Sequence, residues 1–399
     1  MPDAAIEADN FEPEIETVIS EGDGLNISWS DGHESFFHAV WLRDCCYCDT
    51  CGDSYSSKRF VTPLDVREDV APASARIDER RDLEVVWQAD GHRSRYASAW
   101  LRRHCYDEAS RNLRFHQPIL WDGEIVSELP AVEFAAASAD ERVRFELLRH
   151  LRDYGFVLVR GGPARPGGVE AVASLVGDLG EAAYTRIFDL TPSSKTRTMG
   201  NTFHEVPPHT DEAFRYSPPG VNVLGCVRPA NDGGESILVD GFQAAAQLRA
   251  ADPGAFELLC RYAQDFNRIH PGSLDQRGRQ PMIVLDDRDA VIGIRFHTRA
   301  AGPLNLPVDV VKPYYAAHRR LCERMFDPSN QLRFQLDAGD AVLFDNYRVL
   351  HARAAFADPE RHLQICNVAR ETFHEQLRLL AGRYGYSAEA DQVLAAGVF

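Results

Sequence analysis

Pro207-Pro208-His209-Thr210-Asp211 sets an imidazole and a carboxylate two positions apart, and Phe344-Asp345-Asn346-Tyr347-Arg348-Val349-Leu350-His351 ends an apolar run on a second imidazole. Residues i and i+2 of an extended segment share a face, so His209 and Asp211 should point the same way. Two histidines and one carboxylate on one face of an octahedron hold Fe(II) and leave three positions open for O2 chemistry. A lone His-x-Asp is common by chance, and its companions give it meaning. Ser236 follows Asp211 by 25 residues, and Arg361 follows His351 by 10. A dicarboxylic 2-oxo acid chelating iron through its 2-oxo and 1-carboxylate oxygens leaves a far carboxylate to be gripped. An arginine with a nearby hydroxyl does this through charge-assisted, bidentate hydrogen bonds.

A second kind of metal chemistry is written near the start. Cys45, Cys46, Cys48 and Cys51 crowd together, whereas Cys105, Cys226, Cys260, Cys322 and Cys366 stand singly. In a long chain rich enough for a core, such a knot suits a metal better than a disulfide framework. Cys46, Cys48 and Cys51 offer three thiolates in one loop, and a fourth ligand would complete the tetrahedron of structural zinc. Cys45 has no obvious place in it. Spacing leaves His33, His92, His104 and Cys105 open as the fourth ligand. An internal repeat favours His92 or Cys105, which would cross-link its two copies. Leu25, Trp29, Asp31-Gly32-His33, Trp41-Leu42-Arg43 and Cys46 recur as Leu83, Trp87, Asp90-Gly91-His92, Trp100-Leu101-Arg102 and Cys105, at an offset of 59 from His33 onward.

These residues must be held by elements that the pattern also predicts. Each copy of the repeat alternates apolar residues before an Asp-Gly turn, as a β-hairpin does. We therefore expect a disordered lead over 1–14, a small β-rich zinc-binding domain over 15–125 with its seam at Asp122-Gly123, and an oxygenase domain over 126–399. The latter opens with a helix whose Val143, Leu147, Leu148 and Leu151 share a face, capped by Ser138 or Asp140 and closed by Gly155. Strands are expected over 156–159, 221–227, 236–239, 333–336 and 341–344, with a helix over 308–326. Short strands, Gly-rich turns and few helices indicate a jelly roll rather than a parallel α/β sheet.

The 399 residues are 44% hydrophobic and 26% charged, with a formal net charge of −17. That balance suits a soluble globular protein and argues against nucleic acid or an anionic membrane as partner. No run approaches the roughly 20 apolar residues of a membrane span. With no cleavage signal near the N-terminus, the expected location is cytoplasmic.

Taken together, His209-x-Asp211, Gly233-Gly234-Glu235-Ser236, Val239-Asp240-Gly241-Phe242, Phe344-Asp345-Asn346 through His351 and Arg361-His362-Leu363 resemble the γ-butyrobetaine and trimethyllysine dioxygenases of the taurine-dioxygenase-like superfamily. Trp41-Leu42-Arg43-Asp44 with Cys46, Cys48, Cys51 and His92 resembles the zinc-binding front domain of those enzymes, which selects His92 as the fourth ligand. The resemblance runs from about Leu25 to Arg370. It implies a mainly β protein with helices, in which a small zinc-binding domain precedes a double-stranded β-helix catalytic domain. It also implies Fe(II), 2-oxoglutarate and O2 as co-substrates, structural zinc, stimulation by ascorbate, a homodimer, and hydroxylation of a small molecule with release of succinate and CO2.

For the substrate, the resemblance implies an aromatic cage that holds a quaternary ammonium by cation–π attraction. Tyr184 and Phe188 fall at two cage positions, and Asn201 and Asn367 fall where two further tyrosines stand. Arg295, in Gly293-Ile294-Arg295-Phe296, replaces an Asn of the carnitine-forming enzymes, and its charge suits a phosphonate. The expected substrate is a small zwitterion, γ-butyrobetaine-like or a 2-(trimethylamino)ethylphosphonate or 2-aminoethylphosphonate. A contrasting reading is a non-catalytic, metal-stapled binding protein on the same fold. Absence of His209, Asp211, His351 or Arg361 would favour it, and all four are present.

Overall fold

Alternating apolar residues build the front of the chain twice. Strands β1 (Ile15–Glu21), β2 (Gly24–Trp29) and β3 (Glu34–His38) form one antiparallel sheet, followed by helix α1 (Ala39–Asp44). After a small ribbon of β4 (Gly52–Asp53) and β5 (Lys58–Arg59), the plan repeats. Strands β6 (Pro72–Ile77), β7 (Leu83–Trp87) and β8 (Arg93–Tyr96) pair in order and lead into helix α2 (Ser98–Arg103), with α3 (Glu108–Leu113) after it. The hairpin turns use Gly32 and Gly91 at φ of 78° and 66°, a left-handed region that favours glycine. One core takes corresponding residues from each copy, Leu25 with Leu83, Trp29 with Trp87 and Leu42 with Leu101, all at most 1% exposed.

The computed structural model describes residues 13–180, 185–193, 199–392 and 394. They divide into two compact units, one of the described residues in Met1–His116 and Ala381–Val393, the other of those in Gln117–Leu380 and Leu394–Phe399. The seam therefore lies about nine residues earlier than the expected 125, because Trp121, Ile125 and Leu129 pack into the core of the second unit.

In that unit, β9 (Ala131–Glu133) and α4 (Phe134–Ala139) precede α5 (Glu141–Tyr154). Asp140 caps α5 by accepting from the Arg142 amide, and Gly155 closes it at φ 76°. Next come β10 (Phe156–Arg160), α6 (Gly168–Ala173), β11 (Phe188–Leu190), β12 (Val206–His209), β13 (Val221–Arg228) and β14 (Ser236–Asp240). Helices α7 (Gly241–Ala251) and α8 (Pro253–Arg261) lead to the hairpins β15 (Ala263–His270) with β16 (Leu274–Pro281) and β17 (Ile283–Leu285) with β18 (Val291–Ile294). Helix α9 (Val308–Met325) precedes β19 (Gln331–Phe334), β20 (Ala341–Asp345), β21 (Val349–Arg353), β22 (His362–Val368) and α10 (Arg370–Arg383).

Six strands pair in the order β11-β22-β13-β20-β10-β9 and four in the order β12-β21-β14-β19. Leu158, Leu224, Val342 and Leu363 of the larger sheet pack with Leu238, Leu332 and Val349 of the smaller, so the sheets enclose a shared core as a jelly roll does. Strands β10, β14 and β20 are buried nearly throughout and read as continuous apolar runs. The remaining helices α7, α8 and α9 share a second core around Leu248, Leu259 and Leu321.

Candidate functional site

Strands β12 and β21 run antiparallel, and their register sets His209 directly opposite His351. Opposed residues on one face of such a pair have side chains close together, and the two imidazole centroids lie 4.2 Å apart. Asp211 is delivered beside them by hydrogen bonds to the loop that joins β20 and β21. Its amide donates to Asn346 Oδ1 at 2.7 Å, and Asn346 Nδ2 donates to the carbonyls of Asp211 and Pro219, each at 3.1 Å. Immediately afterwards Glu212 takes φ 50°, an uncommon conformation for a non-glycine residue that turns the chain away.

The Asp211 carboxylate lies 3.5 Å from His209 Nε2 and 3.8 Å from His351 Nε2. The ligand atoms of these three residues all fall within 4.8 Å of one another. His209 Nδ1 is 2.9 Å from the Pro207 carbonyl, which assigns the proton to Nδ1 and leaves the Nε2 lone pair facing Asp211. Asn222 Nδ2 donates to Asp211 Oδ2 at 2.9 Å and orients the carboxylate. Burial pushes His351 down to about 3, so its imidazole is neutral. Burial alone would raise the Asp211 carboxyl, but the adjacent His351 and His209 hold it below the usual carboxylate range. A carboxylate and unprotonated ring nitrogens are the states in which these groups bind metal. The donor set fits Fe(II).

A cavity of about 260 Å³ is lined by all three residues and also by Ser236, Arg353, Arg361, Arg268 and Arg299. Within a chain of charge −17 this is a locally basic pocket. Arg361 is 3% exposed, donates to the Gly234 carbonyl at 3.2 Å and stacks 4.9 Å over Phe356. It has no carboxylate partner among the described residues, and burial pushes it down to about 10. Gly234 must be glycine here, because its φ is 71° and a Cβ would sit 2.9 Å from Arg361 Nε. Arg353 also lines the cavity, but its guanidinium donates to the carbonyls of Gly200, Thr202 and His204. Arg361 is thus the more available grip for an anion.

The residues expected at the substrate divide. Phe188 and Asn367 line the cavity, whereas Tyr184 lies outside the described residues. Asn201 is not among the lining residues; its amide nitrogen is turned to the carbonyls of Asp189 and Thr191, at 2.8 Å each. Arg295 requires a correction. It does not line the cavity but is buried, with Nη1 and Nη2 donating to the carbonyls of Arg215 and Tyr216 at 2.8 and 3.0 Å. Its guanidinium fastens the chain that follows Asp211 and is not presented to a ligand. Instead Arg268, at the end of β15, and Arg299 put positive charge on the cavity. His297 lines it too, with Nδ1 2.9 Å from the Thr210 carbonyl and its ring 4.8 Å from that of His209. The sequence reading passed over His297, Asn222, Arg268 and Arg299, whose spacing carries no motif.

In the front unit, Cys46, Cys48 and Cys51 converge on His92, whose Nε2 is 3.4, 3.6 and 3.5 Å from their sulfurs. The loop makes this possible: the amides of Cys51 and Gly52 both donate to the Cys48 carbonyl, folding the thiols inward. Arg43 Nη1 donates to Cys51 Sγ at 3.4 Å and sets a positive charge beside the cysteines. Three sulfurs and one imidazole at this separation suit tetrahedral zinc. Of the other candidates, His104 stacks on Trp100 at 4.2 Å, while His33 and Cys105 belong to a different cluster. Cys45 stays outside the site, its thiol pushed up to about 11 by burial.

Known proteins resemble this chain along most of its length. Residues 123–367 match the family described as taurine catabolism dioxygenase TauD, TfdA family, and residues 17–88 match the γ-butyrobetaine hydroxylase-like N-terminal family. The γ-butyrobetaine dioxygenase of Pseudomonas sp. is 32% identical over 372 residues, covering 92% of this chain and 96% of that enzyme. The human γ-butyrobetaine dioxygenase is 28% identical, over 90% of this chain and 95% of its own. The mitochondrial trimethyllysine dioxygenase of Gallus gallus is 30% identical, over 90% of this chain and 86% of its own.

Proposed function

Because the chain belongs to the taurine dioxygenase TauD, TfdA family and is a 2-oxoglutarate-dependent dioxygenase, we propose that it hydroxylates a small quaternary-ammonium zwitterion of the γ-butyrobetaine class. The observation that carries this reading is a single cavity lined at once by His209, Asp211, His351 and Arg361. Fe(II), with 2-oxoglutarate and O2, supplies the oxidising power for C–H hydroxylation, with release of succinate and CO2. His209, Asp211 and His351 would hold the metal. Arg361, helped by the Ser236 hydroxyl, would grip the far carboxylate of 2-oxoglutarate. Asn222 and Asn346 keep the Asp211 carboxylate aimed, and the apolar walls exclude water.

Phe188 supports an ammonium end by offering an aromatic face, and Asn367 would accept contacts from polarised methyl groups. The anionic end would lie toward Arg268 and Arg299. Because Arg268 and Arg299 line the cavity in addition to Arg353 and Arg361, a phosphonate, which can carry two negative charges, is the second reading; Arg295 lends it no support. Succinate release and product mass should be followed with γ-butyrobetaine, trimethyllysine, 2-aminoethylphosphonate and its N-trimethyl analogue. Turnover of γ-butyrobetaine well above the phosphonates is the expected result, and stoichiometric turnover of only a free-amine compound would sink the quaternary-ammonium assignment. Alanine at His209, Asp211 or His351 should abolish substrate-dependent succinate formation without unfolding the chain. A homodimer and a cytoplasmic location complete the reading, the former on the resemblance and the latter on a thiol-rich zinc site that needs reducing surroundings. Sedimentation of the purified chain tests the dimer.

A further inference from the structure

The internal repeat carries the zinc site over to a second place. At an offset of 59, Cys46 corresponds to Cys105, Cys48 to Asp107, Cys51 to Ser110, and His33 to His92. In the zinc site, the cysteines of the first copy meet the histidine of the second. The structure repeats this in reverse: His33 of the first copy meets Cys105 and Asp107 of the second, with ligand atoms all within 4.8 Å of one another. His33 Nε2 and Asp107 Oδ2 are 3.1 Å apart.

The surroundings are duplicated as well. Trp29 Nε1 donates to Ser35 as Trp87 Nε1 donates to Ser94, each at 2.8 Å. Asp31 accepts from the His33 amide at 3.0 Å as Asp90 accepts from that of His92 at 2.9 Å. Arg102 pairs with Asp31 as Arg43 pairs with Asp90. Cys105 is fully buried, while the side chains of His33 and Asp107 are 20% and 33% exposed and give an ion an entry path.

We infer that His33, Cys105 and Asp107 form a second metal site in the front unit, taking a borderline-soft divalent ion such as zinc or cobalt. Imidazole, thiolate and carboxylate are all zinc ligands, and three of them leave the fourth tetrahedral position to water. With one thiolate in place of three, this site is weaker than the Cys46–Cys48–Cys51–His92 site. Metal binding expels the Cys105 thiol proton to solvent and replaces the His33–Asp107 hydrogen bond with two bonds to the ion.

The test is titration of the full-length, zinc-containing chain with Co(II), following the near-ultraviolet thiolate-to-cobalt absorption and any zinc released. The iron site contains no cysteine and is silent in this band. Cobalt should produce the band to one equivalent with no zinc release, and excess zinc should suppress it. Cys105→Ser should lose the band while keeping its original zinc. Asp107→Asn, which still caps α3 through the Ser110 amide, should weaken cobalt binding tenfold or more, which also guards against a misfolded Cys105 variant. No band in the folded wild-type chain, a band that persists in Cys105→Ser, an unchanged affinity in Asp107→Asn, or a band that grows only as zinc leaves would each overturn the second site.

Discussion

Replacing Arg361 by alanine tests the proposed co-substrate grip. The guanidinium is 3% exposed, without a carboxylate partner among the described residues, and held in place by the Gly234 carbonyl and the Phe356 ring. A buried cation in that state is incompletely compensated, burial pushing it down to about 10, and a bound carboxylate would supply the missing charge. Truncating one partner of a buried, hydrogen-bonded charge pair costs about 2–5 kcal/mol. At 1.4 kcal/mol per decade this raises the 2-oxoglutarate requirement by roughly 30-fold to several thousand-fold. Arg353 is a poorer substitute, because both of its Nη atoms are committed to Gly200, Thr202 and His204 and only Nε is left without a partner among the described residues. Arg361→Lys should fall between, keeping the charge and losing the fork. The assay is substrate-dependent succinate formation against 2-oxoglutarate concentration, with substrate KM measured alongside. A 2-oxoglutarate KM within threefold of wild type in a folded Arg361→Ala protein would refute the assignment of this residue.

Protein purified without added metal should retain about one tightly held zinc per chain under mild chelation; His92→Ala or Cys48→Ser should release it, and its loss from His33→Ala instead would show the wrong copy was chosen. Arg299→Ala or Arg268→Ala should raise the substrate KM at least tenfold with little change for 2-oxoglutarate, whereas Arg295→Ala should chiefly lower Tm; equal kinetics in all three would contradict the placement of the anion. In iron-free protein, His297 and His351 have folded values of about 3 against an ordinary 6.5. Their neutral forms therefore favour the fold fully above 6.5, and that contribution is lost as pH falls through 6.5 toward 3. Thermal melts should show Tm falling over that window, less steeply for His297→Gln; a Tm independent of pH there would count against burial of neutral imidazoles.

The residues proposed to hold iron stood out because a two-residue spacing on an extended segment and a histidine ending an apolar run are local signals. What the sequence could not show is the register of β12 on β21, which brings residues far apart in the chain face to face. The cap and close of α5 at Asp140 and Gly155 were legible for the same local reason. Arg295 misled because a strand-end arginine does not announce which way its guanidinium turns, and the carbonyls that claim it belong to Arg215 and Tyr216. Arg268 and Arg299 escaped notice because they come from a hairpin and a turn without a motif. For the proposed fourth zinc ligand, spacing alone left two histidines and a cysteine beside His92; the resemblance selected His92, whose Nε2 lies 3.4, 3.6 and 3.5 Å from the three sulfurs. The seam was placed late because Asp122-Gly123 resembles a linker, while Trp121 belongs to the following core.

The crossed exchange of side chains between the two copies bears on how the front unit came to be one piece. Each copy lends its histidine to the other's cysteine, as partners do across the axis of a twofold dimer. A single copy, cut from the chain, would hold half of each cluster and half of the tryptophan-lined interior, and could complete either only by finding a twin. The front of this protein is thus organised like a pair of related subunits joined by a peptide link. Divergence then had two positions on which to act: one kept its sulfurs, and the other exchanged two of them for oxygen.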